Sequence, residues 1–528
     1  MGGPVKSHEL LARNWDAIDR DKYRDETAAV RHLLESLSLT SDARTVIMRR
    51  ALLLVRGARL RARRQGVVES FLQEFSLSTP EGLALMGIAE ALLRTPDAAT
   101  KDRLIAERVS AADWRTHLGG SDSMFVNAST WALLLTSKWG DFGDLSDGAA
   151  ILHRLVTRLG EPVVRAAVGR AIWIMGHQFV LGDSIEAALA RARKENLLCS
   201  FDMLGEGART ATDAERFEAA YAAAIRAVGA SKGQGRGPRA SHGISVKLSA
   251  LSPRYETNQE ERVWQELYPR LLRLATLAAE ANINFTLDAE EADRLILSLK
   301  LLDRLAREPA LGDWTGLGLA VQAYQKRAPG VIETLAALSR DTGRRLMVRL
   351  VKGAYWDSEI KRAQMAGQPD YPVFTTKPAT DLSYLACARA LIAAYPHLCG
   401  QFATHNAHSL VAVKTMADSA GVAVEFQRLH GMGEALYAAA QDELGEIAVR
   451  TYAPVGAHQD LLPYLVRRLL ENGANTSFVH QLLDEETPPE RVVSDPLSLF
   501  TGWRIFVIRG YPNRRICMVT GATVRVST

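Results

Sequence analysis

The chain has 528 residues, with 47% hydrophobic and 23% charged residues and a formal net charge of +4. This length is enough for two or three domains with at least one large core, and the composition is that of a soluble globular protein. The charge is too even to indicate a nucleic-acid partner. The four cysteines form no CxxC pair, which argues against zinc or a disulfide framework and for a reducing compartment.

No targeting or membrane-spanning segment is predicted. Residues 1–16 carry charges and have no apolar core of the signal-peptide kind. No stretch approaches the ~18 uninterrupted apolar residues of a transmembrane helix. We therefore predict a cytoplasmic protein, with peripheral contact to the inner face of the membrane left open.

The first part of the chain, residues 5–196, has helical patterning broken at glycines and prolines. Five arginines fall between Arg56 and Arg64. They could form a docking or nucleic-acid patch. We favour a solvated helix face, because no aromatic residues are interleaved and the rest of the chain offsets the charge.

After residue 196, short β-like runs alternate with helical stretches. The eight runs are 199–204, 244–249, 284–288, 318–322, 345–352, 401–405, 422–427 and 449–452. Eight strands, each followed by a helical segment, predict a (β/α)8 barrel preceded by an all-helical N-terminal arm and domain. A doubly wound open sheet is the alternative, but no GxGxxG motif follows any run.

The predicted strands all end in polar or charged residues. Active sites of such barrels lie at the C-terminal ends of the strands, so these residues predict a site at the barrel mouth. The residues are Asp202, Lys247, Asp288, Gln322, Arg349 with Lys352, His405, Gln427 and Tyr452.

A helix predicted from Tyr464 to Glu471 follows the eighth strand. Tyr464, Arg467, Arg468 and Glu471 are spaced i, i+3, i+4 and i+7, which places them on one helix face. Two guanidinium groups beside a phenol suit the binding of a small carboxylate, and Glu471 can hold one of them in place. The alternative is a solvated face with an ion pair.

Several longer motifs resemble proline dehydrogenase, and in particular the proline dehydrogenase half, with its helical arm, of the bacterial bifunctional proline utilization proteins. The resemblance covers about residues 10–500. The motifs are 71–82, 122–130, 288–291, 349–356, 402–408, 425–433 and 464–478.

The resemblance implies a distorted barrel that binds FAD non-covalently, oxidises L-proline to 1-pyrroline-5-carboxylate and passes electrons to a membrane quinone. It implies that Arg349, Lys247 and Tyr452 act in catalysis, with Arg349 beside the flavin N5. The substrate would be bound by Arg467, Arg468, Lys247, Tyr464, Leu429, Tyr355, Tyr452 and Glu471. The cofactor would be bound by Asp288, Gln322, Arg349, Lys352, Gly353, Ala354, Trp356, Thr375, Lys377, Thr404, His405, Asn406, Gln427 and Leu429.

The residue types agree with that chemistry. Hydride transfer to a flavin needs orientation more than a strong base, once the substrate amine is unprotonated. Arg349, Lys352 and Gln322 are suited to stabilise the electron density that accumulates on the flavin. His405 and His408 form a weak metal pair without an apparent third ligand, so no metal is predicted.

Some features depart from the family pattern. Thr376 stands where the family usually has arginine, which bears on how the FAD phosphates are held. The short N-terminal DNA-binding domain of some members is not recognised, so we predict no repressor role and no nucleic-acid partner. No aldehyde dehydrogenase half is recognised either, so the second reaction is expected to be missing.

We divide the chain into a helical arm and domain (1–190), the barrel (191–480) and a basic C-terminal extension (481–528), interpreted as a truncation remnant. Two rival functions stay open at this point. One is an inactive barrel that serves as an interaction scaffold through its arm, and the other is a phosphate-binding barrel enzyme without flavin.

Overall fold

The computed structural model describes residues 15–62, 179–205, 207–232, 236–456, 481–482 and 487–500. Three helices come first: α1 (Trp15–Arg20), α2 (Glu26–Ser36) and α3 (Ser41–Ala62). Asp25 starts α2 by accepting a hydrogen bond from the Ala28 backbone N–H at 2.9 Å. An acidic N-cap satisfies a backbone donor and favours the positive end of the helix dipole.

Eight parallel strands close into a barrel in chain order, β1 pairing with both β2 and β8. All residues of β2, β3 and β4 are buried, which is typical of parallel strands covered by helices. The strands are β1 (Cys199–Met203), β2 (Gly243–Val246), β3 (Asn284–Leu287), β4 (Leu317–Gln322), β5 (Leu346–Val351), β6 (Leu398–Ala403), β7 (Glu425–Leu429) and β8 (Ala448–Val455).

Helices cover the outside of the barrel. They are α4 (Ile185–Lys194), α5 (Ala211–Ser231), α6 (Tyr268–Glu280), α7 (Leu295–Ala306), α8 (Ala328–Thr342), α9 (Trp356–Met365), α10 (Lys377–Ala393), α11 (Ala407–Ala420) and α12 (Glu434–Leu444), followed by α13 (Pro489–Val492) and α14 (Pro496–Phe500). A single turn, Glu260–Arg262, and the π-helical Val263–Leu267 lead into α6. Short 3-10 turns lie at Asp21–Tyr23, Leu248–Ala250, Thr257–Gln259, Ala292–Arg294 and Pro309–Leu311.

The side chains of each strand alternate between the helices and the barrel interior. The side chains that face the helices are mainly apolar, and Phe201, Phe285, Phe402 and Phe426 are each completely buried there. Those that point inward are largely polar. This barrel therefore has its hydrophobic core between strands and helices and a hydrogen-bonded polar interior.

The arm helix α3 packs against α11 and α12. Ile47, Ala51, Leu54, Val55 and Ala58 recur at helical spacing and are fully buried in this interface. Polar contacts border the apolar stripe: Arg44 pairs with Asp495 at 2.5 Å, and Arg50 pairs with Glu443 at 3.1 Å. The arm and the barrel thus share one hydrophobic core.

The predicted barrel and the preceding helical segment are confirmed. The strand bounds differ from the predicted runs by one to three residues at most ends, because the strands end where hydrogen bonding ends rather than where β-forming residues end. The bounds of the three domains stay predictions. Within the part of the chain that the structure describes, no helix is both long and apolar enough to cross a membrane.

Candidate functional site

Five side chains form a buried charged cluster at the C-terminal ends of the strands. Lys247 Nζ lies 2.7 Å from both carboxylate oxygens of Asp202, 3.4 Å from Asp288 Oδ2 and 3.3 Å from Tyr452 Oη. Tyr452 donates to Asp288 Oδ2 at 2.7 Å, and Arg349 Nη1 donates to Asp288 Oδ1 at 2.8 Å. Residues from β1, β5 and β8 and from the segments after β2 and β3 therefore meet in one place.

These five residues form the mouth cluster, and their protonation states follow from their burial and from the charges of their neighbours. Burial opposes a charged lysine, but Asp202, Tyr452 and Asp288 together raise the pKa of Lys247 well above its usual value. Burial raises the pKa of Asp202, while Lys247 opposes that rise. Burial and the two carboxylates also raise the pKa of Tyr452. At neutral pH, Lys247 is a cation and Tyr452 is a protonated phenol that donates to Asp288.

A polar column continues from Arg349 down the barrel axis. Arg349 Nε donates to Gln427 Oε1 at 2.7 Å, and Gln427 Nε2 donates to Glu425 Oε1 at 2.8 Å. Arg450 then binds both oxygens of Glu425, at 2.8 and 2.9 Å. Burial opposes the charge of Glu425, yet Arg450 holds its pKa below the usual range. Gln427 is thereby fixed with its carbonyl toward Arg349.

Gln322, at the end of β4, is also buried at the mouth. Its Nε2 donates to the backbone oxygen of Glu290 at 3.1 Å, and its Oε1 accepts from Gln325 Nε2 at 2.7 Å. Both ends of this amide are therefore held by neighbouring groups. An amide has two N–H groups, so a second one remains for other contacts.

The segment after β5 carries five of the predicted site residues. Lys352 pairs with Asp381 and lies over the Tyr384 ring at 5.9 Å. Trp356 is 41% exposed, and its indole donates to Phe374 O at 2.8 Å. The other three are Gly353, Ala354 and Tyr355, the last of which precedes α9.

Lys377 and Thr375 lie at the start of α10. Although Lys377 is an exposed residue, removal from water by the surrounding protein and the positive charge of Lys352 lower its pKa. Thr375 donates through its backbone N–H and its hydroxyl to the carboxylate of Glu26, both to Oε1 at 3.0 Å. Glu26 is a buried residue of α2, so an arm residue reaches a predicted cofactor contact.

Four further candidates, three in the turn after β6 and one at the end of β7, are held by local contacts. His405 Nε2 accepts from the Leu429 backbone N–H at 3.2 Å, and Thr404 Oγ1 accepts from Asn406 N at 3.1 Å. Asn406 caps α11 by accepting from Ser409 N at 2.9 Å. Leu429 lies beside Tyr452 in the strand register, so both side chains face the barrel interior at the mouth.

The structure brings Lys247, Asp288, Arg349, Gln427 and Tyr452 into direct contact. Four predicted substrate residues, Tyr464, Arg467, Arg468 and Glu471, lie outside the described residues. Among the residues that are described, no cluster of histidine, cysteine, aspartate or glutamate could hold a metal ion.

Sequence reasoning missed the residues that support the cluster from below. Ser200 accepts from Arg349 Nη2 at 2.9 Å, and Glu425 and Arg450 complete the column. Each of the three lies two positions before a named strand-end residue, Asp202, Gln427 or Tyr452. Because alternate strand residues share a face, polar residues at this spacing were the available signal.

Fold and site together define the class: a (β/α)8-barrel protein with a buried, charged site at the C-terminal ends of its strands. The family model described as proline dehydrogenase matches residues 185–481, more than half of the chain. The chain belongs to the proline dehydrogenase family.

Relatives among known proteins extend the match into the arm. The bifunctional protein PutA of Klebsiella aerogenes is 50% identical over 90% of this chain and 37% of its own length, and that of Rhizobium meliloti is 46% identical over 94% and 40%. A crystal structure of a Bradyrhizobium japonicum proline utilization A mutant superposes with a TM-score of 0.71 at 48% identity, covering 91% of this chain and 48% of that chain. The chain thus spans less than half the length of these relatives.

A second family model, described as the DNA-binding domain of proline dehydrogenase, matches residues 67–179. Nearly all of this range lies outside the described residues. The description belongs to the family model and does not test nucleic-acid binding by this chain. The absence of a nucleic-acid partner therefore stays a prediction.

Proposed function

We propose that this chain catalyses the FAD-dependent oxidation of L-proline to 1-pyrroline-5-carboxylate. The observation that carries the proposal is the buried cluster of Lys247, Asp202, Asp288, Tyr452 and Arg349 at the mouth of a proline dehydrogenase-family barrel. When bound, FAD supplies the hydride acceptor for this chemistry.

The donor groups around the mouth fit such a cofactor. Arg349 and Gln322 present N–H groups from buried positions, which suits a flavin ring that gains electron density. Lys352 and Lys377 lie close enough for the charge of one to lower the pKa of the other, beside the N-terminus of the 17-residue helix α10. Asp381 pairs with Lys352, and the positive potential of two lysines at a helix N-terminus exceeds the charge of that one carboxylate, which suits an anion such as a diphosphate.

The carboxylate of proline needs more positive charge than the mouth cluster provides. Lys247 and Arg349 are offset by Asp202 and Asp288, so the four charges sum to zero. A fifth charge in a dry site must be neutralised. We propose that Arg467 and Arg468 bind the carboxylate, with Tyr464 and Glu471 as neighbours.

The ring of the substrate would lie against the apolar and aromatic part of the mouth. Leu429 and Tyr452 are adjacent there on neighbouring strands, and Tyr355 follows β5. Lys247 and Tyr452 are both protonated at neutral pH, so neither is a general base. These residues orient the substrate and exclude water, and proline binds with its amine unprotonated.

We further propose that electrons pass to a membrane quinone through peripheral contact with the membrane surface. The support for this step is the family resemblance alone. A membrane-associated quinone analogue should reoxidise the proline-reduced protein, and a rate unaffected by the quinone would contradict this step.

A spectroscopic titration tests the main proposal. The purified chain, or the chain after addition of FAD, should show flavin absorbance bands that L-proline bleaches in the absence of oxygen. D-Proline, with the opposite configuration, serves as the control and should bleach them far more slowly. A chain that neither contains nor takes up FAD would overturn the proposal in favour of the scaffold or of the phosphate-binding enzyme. Flavin that is bound but not bleached would overturn the assignment of proline.

A further inference from the structure

A chain of directed hydrogen bonds leads from the arm to Gln322. Arg327 Nε donates to Gln325 Oε1 at 3.0 Å, Gln325 Nε2 donates to Gln322 Oε1 at 2.7 Å, and Gln322 Nε2 donates to Glu290 O at 3.1 Å. The residues of this relay are between 2% and 4% exposed, so water does not compete with these bonds.

The direction of this relay is set at both ends, because the backbone oxygen of Glu290 can only accept and the guanidinium group of Arg327 can only donate. A guanidinium group can only donate, so Gln325 must turn its carbonyl oxygen toward Arg327. Its amide nitrogen is then directed at Gln322, which must present its own oxygen in return. Gln322 is thus held with its N–H groups on the opposite side. A side-chain amide without such neighbours can turn over and exchange its donor for its acceptor.

The arm holds the first member of the relay. Asp19, in α1, accepts from Arg327 Nη1 at 2.8 Å, and Arg327 Nη2 donates to the backbone oxygen of Ala292. Arg327 immediately precedes α8, where the positive end of the helix dipole disfavours a cation. Because burial and this dipole both oppose the positive charge of Arg327, the carboxylate of Asp19 stabilises that charge.

We propose that Gln325, Arg327 and the arm residue Asp19 are positioning residues that fix the orientation of the Gln322 amide toward the flavin. This inference rests on the proposed function, because it assigns the buried N–H of Gln322 to the cofactor. Its consequence is that the arm helps to set the flavin redox potential. A hydrogen-bond donor directed at the flavin stabilises the reduced, electron-rich form more than the oxidised form.

Two substitutions of Gln325 test the relay. Gln325→Met keeps the side-chain length but cannot donate to Gln322, and Gln325→Glu keeps an acceptor for Arg327 while reversing the bond to Gln322. The readout is the two-electron midpoint potential of the bound flavin in the full chain. We expect both variants to bind reduced flavin about tenfold more weakly relative to oxidised flavin, which lowers the potential by about 30 mV.

Gln364→Glu is the matched control for the added charge, since Gln364 lies exposed in α9 and its amide donates to the Tyr371 hydroxyl at 3.2 Å. It should leave the potential unchanged. If Gln325→Glu lowers the potential and Gln325→Met does not, a through-space charge effect explains the result and the relay is wrong. Unchanged potentials in both variants would also overturn it. Loss of thermal stability alone would mark these contacts as purely structural.

The arm's contribution is tested by Asp19→Asn. The side chain of Asp19 is 57% exposed, so this variant should fold. We expect it to bind reduced flavin about threefold more weakly relative to oxidised flavin, which lowers the midpoint potential by about 15 mV. Arg50→Gln, which breaks another contact between arm and barrel, the pair with Glu443 of α12, should leave the potential at the parent value. Equal shifts in both variants would overturn a specific role for Asp19.

The parent chain separates this test from the test of function. If the parent takes up no FAD, or if its flavin is not bleached by L-proline, the proposed function fails whatever the variants do. If the parent is bleached and the Gln325 variants match its potential, the function stands and the relay fails.

Discussion

Lys247 illustrates how much of the site depends on individual residues. Its ammonium group is buried against two carboxylates and a phenol, with the shortest contacts at 2.7 Å to Asp202. Such a cluster is stable only while every charge has a partner, because an unpaired buried charge costs several kcal/mol. Substitution of one member is therefore expected to act through the charge that is left behind.

Lys247→Met should lower the free energy of unfolding by about 3–5 kcal/mol at pH 7.5, because Asp202 stays buried without its cation. Burial raises the pKa of Asp202 above its unfolded value, and loss of Lys247 removes the group that opposed this rise. A carboxyl group with a raised pKa favours folding at low pH and loses this contribution as the pH rises through the folded-state pKa. Denaturant unfolding at pH 4.5 and 7.5 should therefore show a smaller penalty at pH 4.5.

The control is the double variant with Asp202→Asn added. It should recover part of the stability at pH 7.5 and be less dependent on pH than Lys247→Met. A single variant whose penalty is equal at both pH values would contradict the account of Asp202 as the unpaired charge.

Arg468→Met addresses the carboxylate of the substrate. The two cations and two carboxylates of the described cluster balance, so a fifth charge depends on a residue such as Arg468. Loss of one partner of a desolvated pair costs roughly 2–5 kcal/mol. We expect flavin binding and fold to persist while kcat/KM for proline falls about 30-fold or more, mainly through KM. Arg468→Lys should restore only part of it, since an ammonium group cannot make a bidentate contact. Parent-like proline binding by Arg468→Met would rule out the carboxylate role.

At the scale of elements, the turns that follow the strands need particular backbone conformations to place the candidate residues. The turn after β5 depends on Gly353, whose φ is +137°. A Cβ atom at this position would lie 2.5 Å from the Tyr324 ring. Both the backbone conformation and the close approach therefore require glycine. This turn leads from Lys352 to Trp356, so its conformation determines where five candidate residues lie.

Gly353→Ala should lower the free energy of unfolding by about 2–4 kcal/mol and weaken FAD binding, because backbone strain and steric overlap add. Gly330→Ala is the matched control. Gly330 lies inside α8 with nothing within 4 Å of an added Cβ. Alanine there should be neutral or stabilising by up to about 1 kcal/mol. Thermal unfolding and FAD titration of both variants provide the measurement. Equal effects of the two substitutions would show that stability and FAD binding do not require glycine at position 353.

At the scale of the whole molecule, the arm is part of the barrel's structure. α3 buries its apolar face against α11 and α12, and residues of α1 and α2 reach Arg327 and Thr375 next to the candidate site. A shared core predicts that arm and barrel unfold together.

Leu54→Ala tests this shared core, because Leu54 is completely buried between α3 and the barrel helices. We expect the free energy of unfolding to fall by about 2–5 kcal/mol. Circular dichroism and flavin release should both report the same single unfolding transition. Leu53→Ala is the control: Leu53 is 45% exposed, and its truncation should cost less than about 0.5 kcal/mol. Two separate transitions in Leu54→Ala would show that the arm unfolds independently.

The sequence by itself determined the closed eight-stranded barrel, because eight short runs of β-forming residues each precede a helical segment, a pattern that follows from local chemistry. It also indicated the strand-end residues, since parallel strands bring their C-terminal ends to one edge. The cluster of Lys247, Asp288, Arg349 and Tyr452 could be named in this way. What local patterns do not contain is which polar side chains pair with one another.

Only the tertiary structure decided the partners. Asp202 pairs with Lys247 across two strands, and Glu425 and Arg450 support Gln427 from below. Glu26 and Asp19 reach Thr375 and Arg327, which lie 349 and 308 residues further along the chain. A pairing at such a distance leaves no periodic signal, because it depends on how whole elements dock. The residue types were legible in the sequence, but the charge balance and hydrogen-bond directions arise only when the barrel closes and the arm packs against it.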